Sequence, residues 1–181
     1  MSDGPRLPRA QALELARQVV DLLRPVCERV EIAGSLRRCK PDVGDIEIVC
    51  IPSVSYLTDL SGEKTEVHSP TQIYAAMRDG GFTCTEGGDR LAKFAGGACP
   101  IEIYITTPER WGVIFTIRTG PADWTKLLVT QRSKGGLCPS HLQFEGGRIV
   151  HRQSKIALET PEEADVFAAI NHRWIAPEDR K

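Results

Sequence analysis

Three acids occupy settings that could do chemistry. Asp45 and Glu47 lie in GDIEIVCIP and Glu102 lies in PIEIYITT, each beside isoleucine. Alternating apolar and polar residues predict strands. Strand side chains alternate between faces, so Asp45 and Glu47 share one face while Ile46 and Ile48 face a core. Two carboxylates held that close repel unless cations join them. Hard oxygen ligands suit Mg²⁺, which takes one or two carboxylates plus substrate phosphates. If the two strands are neighbours, three carboxylates converge, as phosphoryl or nucleotidyl transfer with two divalent ions requires. The plainer reading of any one of these acids is an amphipathic strand with its polar face in water.

The stretch before Asp45, GSLRRCKPDVG, adds a second kind of chemistry. Gly34-Ser35 leaves a strand and can open a helix whose N–H groups point at an anion. Arg37, Arg38 and Lys40 add positive charge, and Gly44 lets the backbone approach closely. Alone, SLRRCK is equally a solvated basic turn. Its position immediately before the acids suggests a triphosphate loop beside the carboxylates that hold its metal.

The chain has 181 residues, 41% hydrophobic and 26% charged, with net charge −1. That length buries a real core, as one domain or one domain with a small lobe. Positive charge is concentrated: Arg110 to Ile156 carries eight Lys/Arg against two acids, a basic stretch able to bind a polyanion locally. The N-terminal stretch lacks an apolar signal region, and no window is long and apolar enough to span a membrane. The six cysteines show no CxxC pair and no zinc-site spacing, which suits reduced thiols of an intracellular protein.

The elements that must position the acids are legible in outline. PRAQALELARQVVDLL predicts a helix with Pro8 in its first turn, VEIAG a short strand, and GDIEIVCIP a strand ending at Pro52. Residues 52–70 read as a loop or weak hairpin, SPTQIYAAMRDGGF as a helix stopped by Gly-Gly, and RLAKFAGG and PIEIYITT as two strands. WGVIFTIRTG is strand or helix, because a continuous apolar run does not decide. A helix is expected from Trp124, a Gly-Gly hairpin in HLQFEGGRIVHRQ, and a helix in TPEEADVFAAI with Thr160 as N-cap and Pro161 at the first helical position.

GSLRRCKPDVGDIEIV resembles the nucleotidyltransferase signature of family X DNA polymerases, the polymerase beta group: Gly-Ser-x-Arg-Arg, a gap, then Gly-Asp-x-Asp on a strand. LAKFAGGACPIEIYIT is similar to the family's later strand with its third metal carboxylate. WGVIFTIRTG resembles its segment ending in Thr-Gly, and TPEEADVFAAINHRWIAPEDR its closing sequence. The likeness runs from about Arg6 to Arg180. It implies an α+β fold: a nucleotidyltransferase palm with a mixed β-sheet and helices over residues 1–119, then a small α+β nucleotide-binding lobe over 120–181.

The resemblance also implies roles. Asp45, Glu47 and Glu102 would hold two Mg²⁺ ions, with Mn²⁺ able to substitute. Gly34, Ser35, Arg38 and Gly44 would bind the triphosphate, and Ile117, Arg118, Thr119 and Gly120 would lie by the incoming nucleotide. Lys126, Arg132 and Lys134 would contact DNA. The implied activity is addition of dNMP to a DNA 3′-hydroxyl, as short-gap or loosely templated repair synthesis on primer-template or gapped DNA, by a monomer with no membrane partner. Two of the three carboxylates are Glu where the family usually has Asp, Cys39 stands for a glycine, and Val129 falls where polymerase beta has a template-contacting arginine. Two other classes compete: nucleotide transfer to RNA, protein or a small molecule, and a non-catalytic nucleic-acid-binding module.

Overall fold

The computed structural model describes residues 6–58 and 61–181. In chain order its strands and helices are β1 (Leu7–Pro8), α1 (Arg9–Leu23), β2 (Cys27–Ile32), α2 (Gly34–Arg37), β3 (Asp42–Val43), β4 (Ile46–Pro52), β5 (Ser55–Thr58), β6 (Lys64–Val67), α3 (Thr71–Asp79), β7 (Thr83–Glu86), β8 (Leu91–Ala95), β9 (Ile101–Ile105), α4 (Trp111–Thr119), α5 (Ala122–Val129), β10 (Leu142–Glu145), β11 (Arg148–His151) and α6 (Glu163–Ala169). The class is α+β. Among the described residues no helix is long and apolar enough to cross a membrane, and no disulfide joins the six cysteines.

The chain forms two compact units. One comprises the described residues through Ile32 together with Pro41–Thr107; the other comprises Ala33–Lys40 and Pro108–Lys181. The loop 33–40 and α4 thus belong to the second unit, whereas the sequence division puts both before residue 120.

The first unit is built on a five-stranded sheet in the order β2-β4-β9-β8-β7. Only β4 and β9 run parallel; the other neighbours are antiparallel. Ile46, Ile48, Ile101, Ile103 and Ala92 are fully buried and Phe94 nearly so. Register aligns them in one apolar layer, Ile46 beside Ile101, Ile48 beside Ile103, and Ala92 and Phe94 across from Ile103 and Ile101. Tyr74 of α3 meets the Phe94 ring at 5.9 Å, so this layer faces the helices. Helix α1 packs on α3, β2 and β4, burying Ala12, Ala16, Val19, Val20 and Leu23 at helical spacing. The polar residues of β4, β8 and β9 therefore project from the opposite face.

The second unit encloses Val113, Trp124, Leu128, Cys138, Leu142, Ile149, Val166, Phe167 and Ile170. The ambiguous run 111–120 is helix α4. It buries Trp111, Gly112, Val113, Phe115, Thr116 and Thr119, on nearly every side, which is why its sequence shows no amphipathic period. The hairpin β10–β11 turns on Gly146 and Gly147, both with positive φ (59° and 80°), as a tight turn of this hand demands. Residues 52–70 contain the antiparallel pair β5–β6. Strand β7 has no counterpart among the sequence expectations; all four of its residues are exposed, so no alternating pattern marks it.

The start of α6 differs from expectation. Its N-cap is Glu162, not Thr160, and a reciprocal capping box joins Glu162 to Asp165, with the Glu162 N–H donating to Asp165 Oδ2 at 2.8 Å. Thr160 is buried, and its carbonyl, with that of Glu162, lies against α4 at Gly112. A Cβ on Gly112 would stand 2.3 Å from the Thr160 oxygen and 2.5 Å from the Glu162 oxygen. Alanine normally improves a helix interior over glycine by about 1 kcal/mol. Here overlap with fixed backbone dominates, and Gly112→Ala is expected to destabilise by about 1–3 kcal/mol in urea unfolding. A variant more stable than the parent would contradict this close packing of α4.

Candidate functional site

The sequence-predicted site residues fall into two sets, one in each unit. In the first unit, parallel pairing places Glu47 of β4 directly beside Glu102 of β9, both half-buried on the face away from the helices. Asp45 occupies the bend immediately before β4. Burial raises the Cys99 thiol above its ordinary value, and the negative charge of Asp45 raises it further. Gly44 precedes Asp45 in the same unit.

Glu102 carries two further contacts. Tyr104, two residues along the same strand, donates its hydroxyl to Glu102 Oε2. Lys93, the register partner of Glu102 on β8, places its ammonium 3.7 Å from Oε1 and 2.9 Å from Glu86. The hydrogen bond that Lys93 donates to Glu86, then the charges of Glu102 and Glu86, hold Lys93 above the usual lysine value. Around Lys93 the carboxylates outnumber the one ammonium, so the group is net negative. Glu47, Glu102 and Asp45 offer only hard oxygen donors, a chemistry that fits Mg²⁺ or Mn²⁺. As the side chains stand, no three His, Cys, Asp or Glu among the described residues are gathered closely enough to hold an ion.

In the second unit the structure brings together two sequence motifs that lie far apart in the chain. Helix α2 is a single turn that opens on Gly34 in the left-handed region, φ 59°, where a side chain would be strained. Arg38 Nη1 donates to the Thr119 carbonyl at 2.6 Å. Arg37 Nη1 donates to Thr119 Oγ1, also at 2.6 Å. The basic loop is thus fastened to the Thr119-Gly120 corner. Gly120 is required there, because a Cβ would stand 2.2 Å from the Trp124 ring. Ile117 packs on the core, and its carbonyl accepts from Thr125 Oγ1 at 3.1 Å. The Ser35 hydroxyl is buried without a hydrogen-bond partner among the described residues. Such a group costs about 1–3 kcal/mol until an acceptor or donor reaches it.

Glu163 anchors this arrangement, and sequence patterns gave it no role beyond helix capping. It is 6% exposed. Arg37 grips it with both terminal nitrogens at 2.9 Å. Arg180, fully buried, adds a bond of 2.7 Å to Oε1, and Trp174 Nε1 reaches Oε2 at 3.4 Å. Arg37 also lies 4.0 Å over the Phe115 ring, and Arg180 lies over Trp124 and Phe167. Arg37 is therefore a structural cation rather than part of a free basic loop. The only sequence signal was the acid-rich start of α6 together with the final arginine.

Of the expected DNA contacts, Lys126 and Lys134 are exposed. Arg132 is exposed as well and donates to the carbonyls of Leu137, Ile170 and Asn171. It secures the C-terminal end of α6, where carbonyls lack helical partners and a cation is favoured. No protein-family model matches the chain, and no curated protein does.

Burial pushes the Glu163 carboxyl up, but hydrogen bonds and charges from Arg37 and Arg180 outweigh it and hold the group below the usual glutamate value. A lowered folded-state value means stability present above the ordinary carboxylate range and lost as pH falls through the lowered one. Glu163→Gln, which leaves two buried cations uncompensated, is expected to cost about 3–5 kcal/mol at neutral pH. The difference from the parent should shrink as pH drops below about 4. Urea unfolding of both proteins across pH 3–7 measures it; a difference independent of pH would contradict the ionised network.

Proposed function

We propose that this chain is a nucleotidyltransferase of the polymerase beta type, a family X member that adds dNMP to a DNA 3′-hydroxyl. One observation carries the reading: Glu47 and Glu102 stand side by side on parallel strands, in a chain whose Gly-Ser-Arg loop comes just before the acids. The fastening of Arg38 to Thr119 supports it, since the two segments that resemble triphosphate and nucleotide contacts occur together. The mixed sheet agrees with a palm.

In this reading Ser35 Oγ and the Arg38 guanidinium take oxygens of the triphosphate, which would satisfy the buried hydroxyl. Thr119-Gly120 forms the wall against which the nucleotide lies, its shape fixed by Arg37, Arg38 and Trp124. Asp45, Glu47 and Glu102 hold Mg²⁺ or Mn²⁺, which when bound supplies Lewis-acid stabilisation of the developing phosphoryl charge and eases loss of the hydroxyl proton. Tyr104 orients the Glu102 carboxylate, and Lys93 balances its charge in the metal-free protein. Lys126 and Lys134 contribute sequence-independent attraction to DNA phosphates.

Labelled dNTPs incubated with Mg²⁺ or Mn²⁺ and single-stranded, primer-template, gapped and RNA acceptors test the reaction and its acceptor. Asp45→Asn and Glu102→Gln are each expected to reduce transfer at least about a hundredfold, since each removes a ligand charge. Near-parental activity in both variants would exclude metal-assisted transfer at these acids. Transfer to RNA alone would replace the DNA assignment.

Lys93 offers a separate check. Its attraction to Glu102 spans 3.7 Å and is screened by solvent, so it competes only weakly with a bound cation. Lys93→Met should therefore tighten Mn²⁺ binding about two- to fivefold, read by calorimetry on the nucleotide-free protein. Weaker Mn²⁺ binding in this variant would mean that Lys93 supports the acids instead of competing for Glu102.

A further inference from the structure

The hairpin of the second unit carries a side-chain cluster that the nucleotidyltransferase reading does not use. A cavity of about 240 Å³ is lined by Ser140, His141, His151, Arg152, Gln153 and Ser154. Every one of these side chains can donate a hydrogen bond, and no carboxylate lines the cavity. The imidazoles of His141 and His151 face one another with centroids 6.0 Å apart and planes inclined by 29°. In the sequence, ten residues and a hairpin turn separate them, and neither shows a ligand pattern.

The scaffold holds this lining without help from a ligand. The Arg152 N–H donates to the His141 carbonyl and the His151 N–H to that of Ile156, both at 2.8 Å, and the Lys155 N–H returns to His151 at 2.9 Å. That last bond closes a turn in which Lys155 takes φ 59°. With the Gln131 amide turned so that its oxygen faces Arg152, Arg152 Nε donates to it at 3.0 Å and the guanidinium fork is fixed. The nearest acid of the hairpin, Glu145, is engaged by Lys155 at 3.1 Å and by Gln143 at 2.7 Å. Its negative charge is therefore matched outside the cavity.

A set of donors on a fixed backbone, with the Arg152 fork held and no competing carboxylate, selects an oxyanion. The planar guanidinium matches two phosphate oxygens at once, and imidazole N–H and hydroxyl groups can serve the others. The cavity is smaller than the roughly 300–1,000 Å³ typical of pockets for drug-sized ligands, so a small anion or an end group fits it better than a whole nucleotide does. We propose that the His141–His151–Arg152 cavity binds a phosphoryl group, either as inorganic phosphate or as the terminal phosphate of a nucleic-acid strand. This site shares no residue with the nucleotide and metal positions, and it stands whether or not the chain is a nucleotidyltransferase.

The test is an NMR titration of the full chain with inorganic phosphate at constant ionic strength, following the imidazole signals of His141 and His151. The expected result is a saturable shift of both rings that equimolar chloride does not produce. Arg152→Gln and, separately, His151→Gln should weaken that binding at least tenfold while the amide spectrum of the rest of the chain is kept. Asp45→Asn should leave it unchanged. Short oligonucleotides ending in phosphate or in hydroxyl form the second arm. Competition by the phosphate-ended strand alone assigns the site to strand ends, and equal failure of both strands assigns it to the free anion. A linear, unsaturable shift, or undiminished binding in both Arg152→Gln and His151→Gln, would overturn the proposal.

Discussion

The second unit depends on a buried negative charge. Glu163 lies at the first turn of α6, almost closed to solvent, and would be prohibitively costly there if unpaired. Arg37 and Arg180 compensate it from opposite ends of the chain, Arg37 as a two-pronged fork. The consequences spread outward from that point. Arg37, once fixed, reaches Thr119 and lies on Phe115. Arg180, once buried, closes over Trp124 and Phe167 and ties down the last residues. The loop 33–40 is thereby part of this unit, although the strands β2 and β3 on either side of it belong to the other. A buried ion pair is weak evidence for stability in general; here it fixes which segment of the chain accompanies which.

The first unit rests on a different constraint, the register of β4 against β9. A sheet strand slipped by one residue exchanges its faces. In the observed register the isoleucines of both strands line the helix side, and Glu47 and Glu102 are necessarily neighbours on the other. The apolar layer therefore specifies the acidic pair. Tyr104 and Lys93 then act on Glu102 from its own strand and from β8. The result is a carboxylate whose direction and charge are both set by its sheet neighbours. An acid facing bulk water without such partners would be free to turn.

Two arginines of basic runs take partners within the chain. Arg37 and Arg132 both sit in runs that read as basic loops. Both have partners within the chain, half-buried Arg37 a carboxylate and Arg132, which stays exposed, the carbonyls at the end of α6. The exposed lysines, Lys126 and Lys134, remain as the simpler charge contributions. A guanidinium satisfies several acceptors in one plane, so a folded chain readily recruits it inward, whereas an ammonium stays hydrated.

Local chemistry in the sequence determined a good deal. Alternation put Glu47 on the strand face opposite its isoleucines, although Asp45, expected on the same strand, lies in the bend before it; Gly146-Gly147 set the hairpin, and the apolar stripe of α1 marked its buried side. These features follow from periods of two and 3.6 residues and from backbone conformations that few residues adopt, all of them properties of short segments. Only the tertiary structure decided the rest. It made 111–119 a helix, because a segment buried on nearly every side carries no period to read. It placed the cap of α6 at Glu162, whose N–H donates to the Asp165 carboxylate, and not at the buried Thr160. It set Glu47 beside Glu102, faced His141 with His151, and joined Arg37 to Glu163 across 126 residues. Pairings of that kind depend on which surfaces meet when the whole chain collapses, and no local pattern encodes them.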